Sequence, residues 1–327
     1  MKQQAFEQHY SAQWQALARY VNALEHADRS NAPAPVDLPT AYRHLCQHLA
    51  LARARGYSLS LIQSLEQLTQ RTHQHLYKRP ETLARQFLIF ILEQLPETTR
   101  LHWRAVSIAA AALIAPMLSM AWLCHQWPEL IYHLLSPHQV EAFEHMYDTN
   151  AQRLGAERTR QADSDWMMLG FYIQNNIGIA FQTFAVGILA CAGSLFYLLY
   201  NGLMIGAVAG YLTQAGHGIP FWGFVAGHSA LELTGIVLAG AGGLLLGKAV
   251  VAPGTHTRQQ ALQLAARSAV TLITGAMLML ALAAVVEAFW SSTPAIAPAI
   301  KYAVGAASWV AVLSYFSFSG RARHAVD

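Results

Sequence analysis

The stretch from Phe171 to Val251 reads FYIQNNIGIAFQTFAVGILACAGSLFYLLYNGLMIGAVAGYLTQAGHGIPFWGFVAGHSALELTGIVLAGAGGLLLGKAVV. Only two side chains in it carry a formal charge, Glu232 and Lys248. A bilayer core accommodates roughly 20 apolar residues per helical crossing, so a run of this length must cross the lipid several times. The stretch therefore predicts an all-α, polytopic membrane helix bundle.

Apolar segments on both sides of this stretch complete the bundle. We expect six spans, at about 105–124, 171–192, 195–214, 221–247, 267–290 and 299–318. Six crossings place both termini on one side of the membrane. Of the 21 Lys and Arg residues, 12 precede Ala105, and Lys248, Arg258 and Arg267 bracket the loop after the fourth span. The positive-inside rule then predicts that both termini lie in the cytoplasm.

The remaining segments divide the chain into regions. Residues 1–100 are rich in charge and show helical periodicity, which predicts a cytosolic bundle of four helices, the last of them ending near Pro96. Asn31–Pro35 and Arg79–Pro80 are expected to separate helices of that bundle. Residues 101–327 form the transmembrane domain. Within it, residues 125–165 predict a non-cytoplasmic polar loop with short amphipathic helices, the second opening at Ser136-Pro137.

The join between the second and third spans is short. Forty-four residues must hold two crossings, and only Gly193-Ser194 is left to connect them. Two full passes joined by a tight turn are one interpretation, and a re-entrant helix is the other.

Small residues recur at every fourth position in two spans. They are Gly202, Gly206 and Gly210 in the third span, and Gly235, Ala239, Gly243 and Gly247 in the fourth. Such ridges let helix backbones approach closely, because lipid gives no hydrophobic reward for helix association. We expect the third and fourth spans to pack on each other. The alternative is a ridge that faces lipid or a second copy of the chain.

A polar minority lies inside the apolar stretch: Asn175, Asn176, Gln182, Asn201, His228 and Glu232. His228 and Glu232 are four residues apart, so on one helix they share a face. Counted at 1.5 Å per residue through a fourth span of 221–247, His228 would lie about 10 Å deep and Glu232 near the midplane. An ionisable group there must be protonated, paired or hydrated. The group could hold helices together, handle protons or a solute, or recognise a partner.

Several function classes do not fit this chain. A net charge of +3 and the lack of an aromatic-basic cluster argue against nucleic-acid binding. The His-x-x-x-Glu pair lacks the HExxH order of a metalloprotease, and Cys46, Cys124 and Cys191 are too far apart for a CxxC site. We therefore expect no enzyme activity, no cofactor and no metal. Glu287, near the outer end of the fifth span, is interpreted as interfacial.

The motifs of this stretch resemble one known family. Its double Asn (Asn175-Asn176), its Asn-Gly (Asn201-Gly202) and its His228-x-x-x-Glu232 follow in the order typical of the stage II sporulation protein M family. The similarity covers roughly Ala105 to the C-terminus, and the N-terminal region resembles the longer form from non-sporulating bacteria. This chain has Ser229 where the family usually has Gly after the His.

The resemblance carries expectations about partners. It implies a multi-pass inner-membrane protein that, in endospore formers, belongs to an envelope-remodelling complex and is not itself a known hydrolase. It implies envelope or membrane proteins as partners, with a MoxR-type ATPase or a von Willebrand A-domain protein among the candidates, and it leaves a homo-oligomer open. We expect a non-enzymatic inner-membrane scaffold. The alternative is a transporter or channel subunit with a His/Glu/Asn pathway for protons or cations.

Overall fold

The computed structural model describes residues 2–26, 36–76, 82–148, 162–293 and 295–321. Residues 1–83 and 84–327 form two compact units. No β-strand occurs among the described residues, and all their regular elements are helical. The all-α prediction is therefore confirmed.

Three long helices lie in the described part of the first unit. They are α1 (Gln3–His26), α2 (Leu38–Ala54) and α3 (Leu59–Leu76). Their buried core consists of Phe6, Leu17, Val21, Leu45, Ala52, Leu65 and Leu68. Gly56 ends α2 with φ +59°, a left-handed conformation that glycine adopts without steric cost. The predicted breaks at 31–35 and 79–80 lie outside the described residues.

The fourth helix expected in this bundle belongs to the second unit instead. Residues 83–101 form α4 (Leu83–Ile89), a π-helical turn (Phe90–Gln94) and α5 (Leu95–Leu101). Arg100 donates to the carbonyl of Phe316 (2.9 Å), and the hydroxyl of Ser319 donates to the carbonyl of Leu92 (2.7 Å). These bonds tie the segment to the last helix of the chain. The boundary we placed at residue 100 therefore lies at Leu83, and the prediction of a four-helix bundle is wrong.

Five helices of the described chain are long and apolar enough to cross a membrane. They are α6 (Trp103–Gln126), α9 (Ala192–Gln214), α11 (Ser229–Val251), α12 with its π-helical end (Arg258–Val285, then Val286–Ser291) and α13 (Pro298–Phe318). A sixth helix of similar length, α8 (Ala162–Ala185), packs against α11 and α12. Its four amides, Gln174, Asn175, Asn176 and Gln182, make it less apolar than the others. The predicted number of about six spans agrees with this bundle.

A tight turn joins α8 to α9. A 3₁₀ turn (Val186–Ile188) follows α8, and only Leu189, Ala190 and Cys191 precede α9. Ala190 and Cys191 have left-handed φ angles of +57° and +68°. The connection lies a few residues earlier than the Gly193-Ser194 we expected. Ser194 is fully buried in α9, where its hydroxyl donates to the carbonyl of Thr183 (2.6 Å).

The glycine ridge of α9 faces α6. A Cβ added at Gly202, Gly206 or Gly210 would overlap the carbonyl oxygens of Leu113, Met117 and Ala121 respectively. The two helices run parallel, because both sets of residues advance in the same direction. We expected the third and fourth spans to pack on each other. They do meet, where Leu198 of α9 lies against Gly240 of α11, but the glycine ridge of α9 is turned to α6 instead. Since the ridge is covered by α6, it does not face lipid.

The ridge of α11 has two partners. Gly235 lies against Leu280 of α12, where an added Cβ would be 2.8 Å from the Leu280 side chain. Gly243 and Gly247 lie against the α8–α9 turn and its flanking residues, and Ala239 between them is fully buried. The ridge therefore lets α12 and the α8–α9 turn approach the backbone of α11.

The polar segment after α6 folds as a cap on one end of the bundle. It contains a 3₁₀ helix (Pro128–His133) and α7 (Pro137–Met146), and residues 149–161 lie outside the described part. Ser136 and Gln139 form a capping box at the start of α7, as the Ser-Pro signal predicts. The Tyr211 hydroxyl of α9 donates to a carboxylate oxygen of Glu144 (2.7 Å). This bond attaches the cap to the end of α9.

The α6–α9 contact predicts a large cost for Gly206→Ala. The new methyl would overlap the Met117 carbonyl, so α6 must move, and overpacking of this kind costs about 1–3 kcal/mol. Gly178→Ala in α8 is the control, because nothing lies within 4 Å of the added Cβ there. Thermal unfolding in detergent should show a Tm lowered by several degrees in Gly206→Ala and unchanged or raised in Gly178→Ala. Equal melting temperatures for the two variants would disprove the close α6–α9 approach.

Candidate functional site

A break divides the span that we expected at 221–247. Two residues, Gly227 and His228, separate helix α10 (Gly218–Ala226) from α11, which begins at Ser229. A Cβ at Gly227 would overlap the ring of Trp290, so the chain passes this point only because the residue is glycine. The break exists because the backbone at 226–228 is wedged between the π-helical turn after α12 and α13, where Gly305 meets the Ala226 carbonyl. The prediction of one continuous helix here is wrong.

The break also changes the depth of the polar residues. His228 is the N-terminal cap residue of α11, and Glu232 lies in the first turn of that helix. A helix of 23 residues is about 35 Å long, which is enough by itself to cross a bilayer core. Glu232 therefore lies near one end of a bilayer-length helix. We had expected it near the middle of the membrane.

His228 is the centre of the site. Its side chain is 3% exposed, and its ring contacts Phe224 edge-on at 5.3 Å between centroids. Nδ1 lies 3.1 Å from the hydroxyl oxygen of Ser291, and Nε2 lies 3.5 Å from a carboxylate oxygen of Glu232. Both ring nitrogens thus have polar neighbours, one on the π-helical turn after α12 and one on α11. The imidazole connects two elements that the break would otherwise leave separate.

Lys301 extends this site, and the sequence analysis missed it. It lies in the first turn of α13 and is 2% exposed. Its Nζ donates to the backbone carbonyl of Ser291 at 2.7 Å. The signal was present in the sequence, because Lys301 is the one formal charge between Ala299 and Phe318. A charge inside an apolar span indicates a functional or structural site by default.

Two further groups approach from neighbouring elements. Glu287, in the π-helical turn, is 8% exposed, so it is buried within the protein. Tyr147, which ends α7, packs its ring on Phe221 (5.2 Å) and Phe224 (5.7 Å). Burial raises the pKa of the Tyr147 hydroxyl, and the nearby acidic side chains of Glu287 and Glu232 add to that rise. The cap therefore reaches this end of the bundle through the Tyr147 ring.

The amides predicted to join this site differ in their surroundings. Asn175 is exposed and donates to the side-chain oxygen of Asn176 (3.1 Å), which is 6% exposed. Gln182 is exposed, and Asn201 donates to the carbonyl of Tyr197 one turn earlier in its own helix (2.7 Å). In the described chain, neither Gln182 nor Asn201 shares a hydrogen bond with His228 or Glu232. The contacts of His228 and Lys301 are made between α10, α11, α13 and the π-helical turn.

The side chains here can form hydrogen bonds and ion pairs, and an imidazole and a carboxylate can exchange a proton. Across the described residues, no three His, Cys, Asp or Glu side chains lie close enough together to hold a metal ion. The arrangement we call the His228 cluster consists of His228, Glu232, Ser291 and Lys301. It links α11 to the π-helical turn and, through Ser291, to α13.

Family models match two parts of the chain. The model described as stage II sporulation protein M matches residues 105–292. This chain belongs to the stage II sporulation protein M family. A second model, described as a domain of unknown function (DUF8413), matches residues 4–78. Comparisons with curated proteins and with solved structures find no match.

The family match agrees with the architecture. It covers α6 to the end of the π-helical turn, and therefore His228, Glu232 and Ser291, but it stops before Lys301. The family is one of membrane proteins and is not a known enzyme family, and the long apolar helices agree with that. The second match falls within the first compact unit, which ends at Leu83.

The His228 cluster predicts that two neighbouring serines differ in importance. Ser291 and Ser292 are both fully buried, but Ser292 donates only to the carbonyl of Ala288 in its own helix (2.8 Å). Ser291→Ala leaves a buried imidazole nitrogen without its partner, which costs about 1–3 kcal/mol. Ser292→Ala removes a bond within one helical segment and should cost less. Thermal unfolding in detergent should therefore show a clearly lower Tm for Ser291→Ala. A loss that is equal in both variants would show that the His228–Ser291 contact does not stabilise the protein.

Proposed function

We propose that this chain is a non-enzymatic subunit of an envelope-associated assembly in the bacterial inner membrane, with both termini in the cytoplasm. In this proposal the membrane unit is a rigid membrane anchor, and the N-terminal unit recruits a partner protein. The observation that carries the proposal is the presence of a separately folded helical unit, with a groove of its own, on the same chain as a membrane unit of this family.

The contacts within the His228 cluster support a rigid membrane unit. His228 has Ser291 and Glu232 at its two ring nitrogens, and the amine of Lys301 is bonded to a backbone carbonyl. These contacts cross-connect α11, α13 and the π-helical turn. Buried polar groups are tolerated when such partners satisfy them, and they then fix one arrangement of the helices.

The groove of the N-terminal unit supports partner binding. It lies between α1 and α2, has a volume of about 300 Å³, and includes Trp14, Asp37, His44 and His48 in its lining. The indole nitrogen of Trp14 donates to Nδ1 of His48 (3.1 Å), which requires a neutral His48 ring on that side. Burial lowers the pKa of His48, and the charges of His44 and His9 lower it further. The groove thus has a neutral aromatic wall of Trp14 and His48, with Asp37 and the exposed imidazole of His44 beside it. Such a lining suits the binding of a polypeptide segment, because aromatic side chains contribute much of the binding energy at protein interfaces.

The candidate partners are those that the family resemblance implies. Envelope or membrane proteins fit the proposal, and a MoxR-type ATPase or a von Willebrand A-domain protein would reach the N-terminal unit from the cytoplasm. A second copy of the chain is a further candidate.

A transporter or channel subunit is the second candidate function. The observation that favours it is the buried His228–Glu232 pair next to a π-helical turn that carries Glu287. π-helical turns occur frequently at functional sites, and ionisable groups inside membrane bundles often belong to proton pathways. In this candidate function, protons or cations would pass along the pair.

The two candidates predict different results in an affinity pull-down of the full chain from mild detergent. The subunit proposal predicts envelope or ATPase partners that wild type and Glu232→Gln retain equally, because glutamine keeps a polar group beside Nε2 of His228. His44→Glu, in the groove, should reduce partner recovery about tenfold, which corresponds to about 1.4 kcal/mol of binding free energy. Gln47→Glu is the matched control, because it adds the same charge to an exposed position of α2 outside the groove lining.

A protein that is recovered alone in all four forms would contradict the subunit proposal. Proton and cation flux into liposomes would then be measured. Flux in wild type that is lost in Glu232→Gln would establish the transport function instead.

A further inference from the structure

The first ten residues of α12 extend beyond its apolar part. Helix α12 and the π-helical turn form 34 continuous residues, whereas a bilayer core takes roughly 20. No charged side chain occurs from Ser268 to Val286, a run of 19 residues that is about 28 Å long as a helix. Arg267 immediately precedes this run and therefore lies at the edge of the apolar segment.

The exposed face of α12 changes from mainly polar to apolar at Arg267. Leu264 and Val270, each three residues from Arg267, are 52% and 56% exposed, so apolar side chains flank the guanidinium on the outer surface. Further along the helix, Leu282 and Val285 continue the exposed apolar face. An arginine between a polar helix end and an apolar lipid-facing surface lies at the level of lipid headgroups.

A groove of about 230 Å³ surrounds Arg267. It is lined by His256, Gln260, Gln263, Leu264 and Arg267. The four helical residues follow at three- and four-residue spacings, so they share one face of α12. Gln260 accepts the backbone N–H of Thr257 through Oε1 in a capping box, which leaves its NH₂ group as the donor. The lining thus offers N–H donors from four side chains and no carboxylate.

This chemistry matches a phosphate at a membrane surface. Arginine binds phosphate oxygens through two parallel N–H groups, and the amides and imidazole can donate to the remaining oxygens. Exposed apolar side chains flank the guanidinium, Leu264 in the groove and Val270 at the start of the apolar run, so the polar groove borders an apolar wall. A soluble phosphate has no use for that wall, whereas a phospholipid does.

We propose that the groove formed by His256, Gln260, Gln263, Leu264 and Arg267 binds the headgroup phosphate of an anionic phospholipid. The site lies at the end of the bundle opposite the His228 cluster. It is independent of the partner-binding function proposed above, because no residue of the N-terminal unit contributes to it.

Thermal unfolding of the full chain in neutral detergent, followed by tryptophan fluorescence, tests the proposal. Phosphatidylglycerol is titrated into wild type and Arg267→Gln, with phosphatidylcholine as the neutral lipid. The matched control is Arg258→Gln, which removes the same charge from the same helix about 180° away around its axis. Gln263→Glu, at an exposed position, places a carboxylate in the groove and leaves Arg267 intact.

The proposal predicts that phosphatidylglycerol raises the Tm of wild type and Arg258→Gln at similar concentrations. Arg267→Gln and Gln263→Glu should need roughly five- to tenfold more of it for the same rise. Equal weakening in Arg258→Gln and Arg267→Gln would show diffuse attraction and overturn the site. Stabilisation by phosphatidylcholine to the same extent, or by inorganic phosphate without lipid, would overturn the assignment to an anionic phospholipid.

Discussion

The bundle depends on the contact between the α8–α9 turn and the glycine face of α11. In lipid, helix association is driven by close van der Waals packing, so the backbones must come near each other. An added Cβ at Gly243 would lie 2.8 Å from the Phe184 carbonyl, and one at Gly247 would overlap the Gly187 carbonyl. Ala190 and Cys191 adopt left-handed conformations in that turn, each at a cost of about 1–2 kcal/mol. This contact offsets that cost and holds α8, the least apolar of the six helices, inside the bundle.

The orientation of the other helices follows from this contact. Because the turn lies at the C-terminal end of α11, α9 leaves it antiparallel to α11 and carries its own glycine ridge along α6. The opposite end of α11 is then free to break at Gly227 and to meet the π-helical turn and α13. The His228 cluster occupies that end, and the Arg267 groove occupies the other. Close packing at glycines thus fixes the positions of the helices. The His228 cluster and the Arg267 groove lie at the two ends of the bundle.

Much of this fold could be predicted from the sequence, because hydropathy sets the number of spans and Ser136-Pro137 sets the start of α7. The polar site was predicted less well. His228 and Glu232 do lie together, because a spacing of four residues brings side chains together on one turn of helix. Their neighbours were misassigned, since Ser291 and Lys301 come from helices whose pairing depends on long-range packing that hydropathy does not encode. The break at Gly227 was missed for the same reason, because its cause is the ring of Trp290, which is more than sixty residues away in the sequence.

The most direct test of this account is the sidedness of the α8–α9 turn. Three variants are made in a protein without its native cysteines, each with a single new cysteine. In the first the cysteine replaces Leu189, which is 64% exposed. In the other two, which serve as references for the two sides of the membrane, it replaces His256 or His138. Labelling by a membrane-impermeant maleimide is compared in vesicles of both orientations. The account predicts that position 189 is labelled from the same side as position 256 and from the side opposite to position 138. Labelling of position 189 from the side of position 138 would contradict it, because α8 would then not cross the membrane and its turn could not reach Gly243 and Gly247.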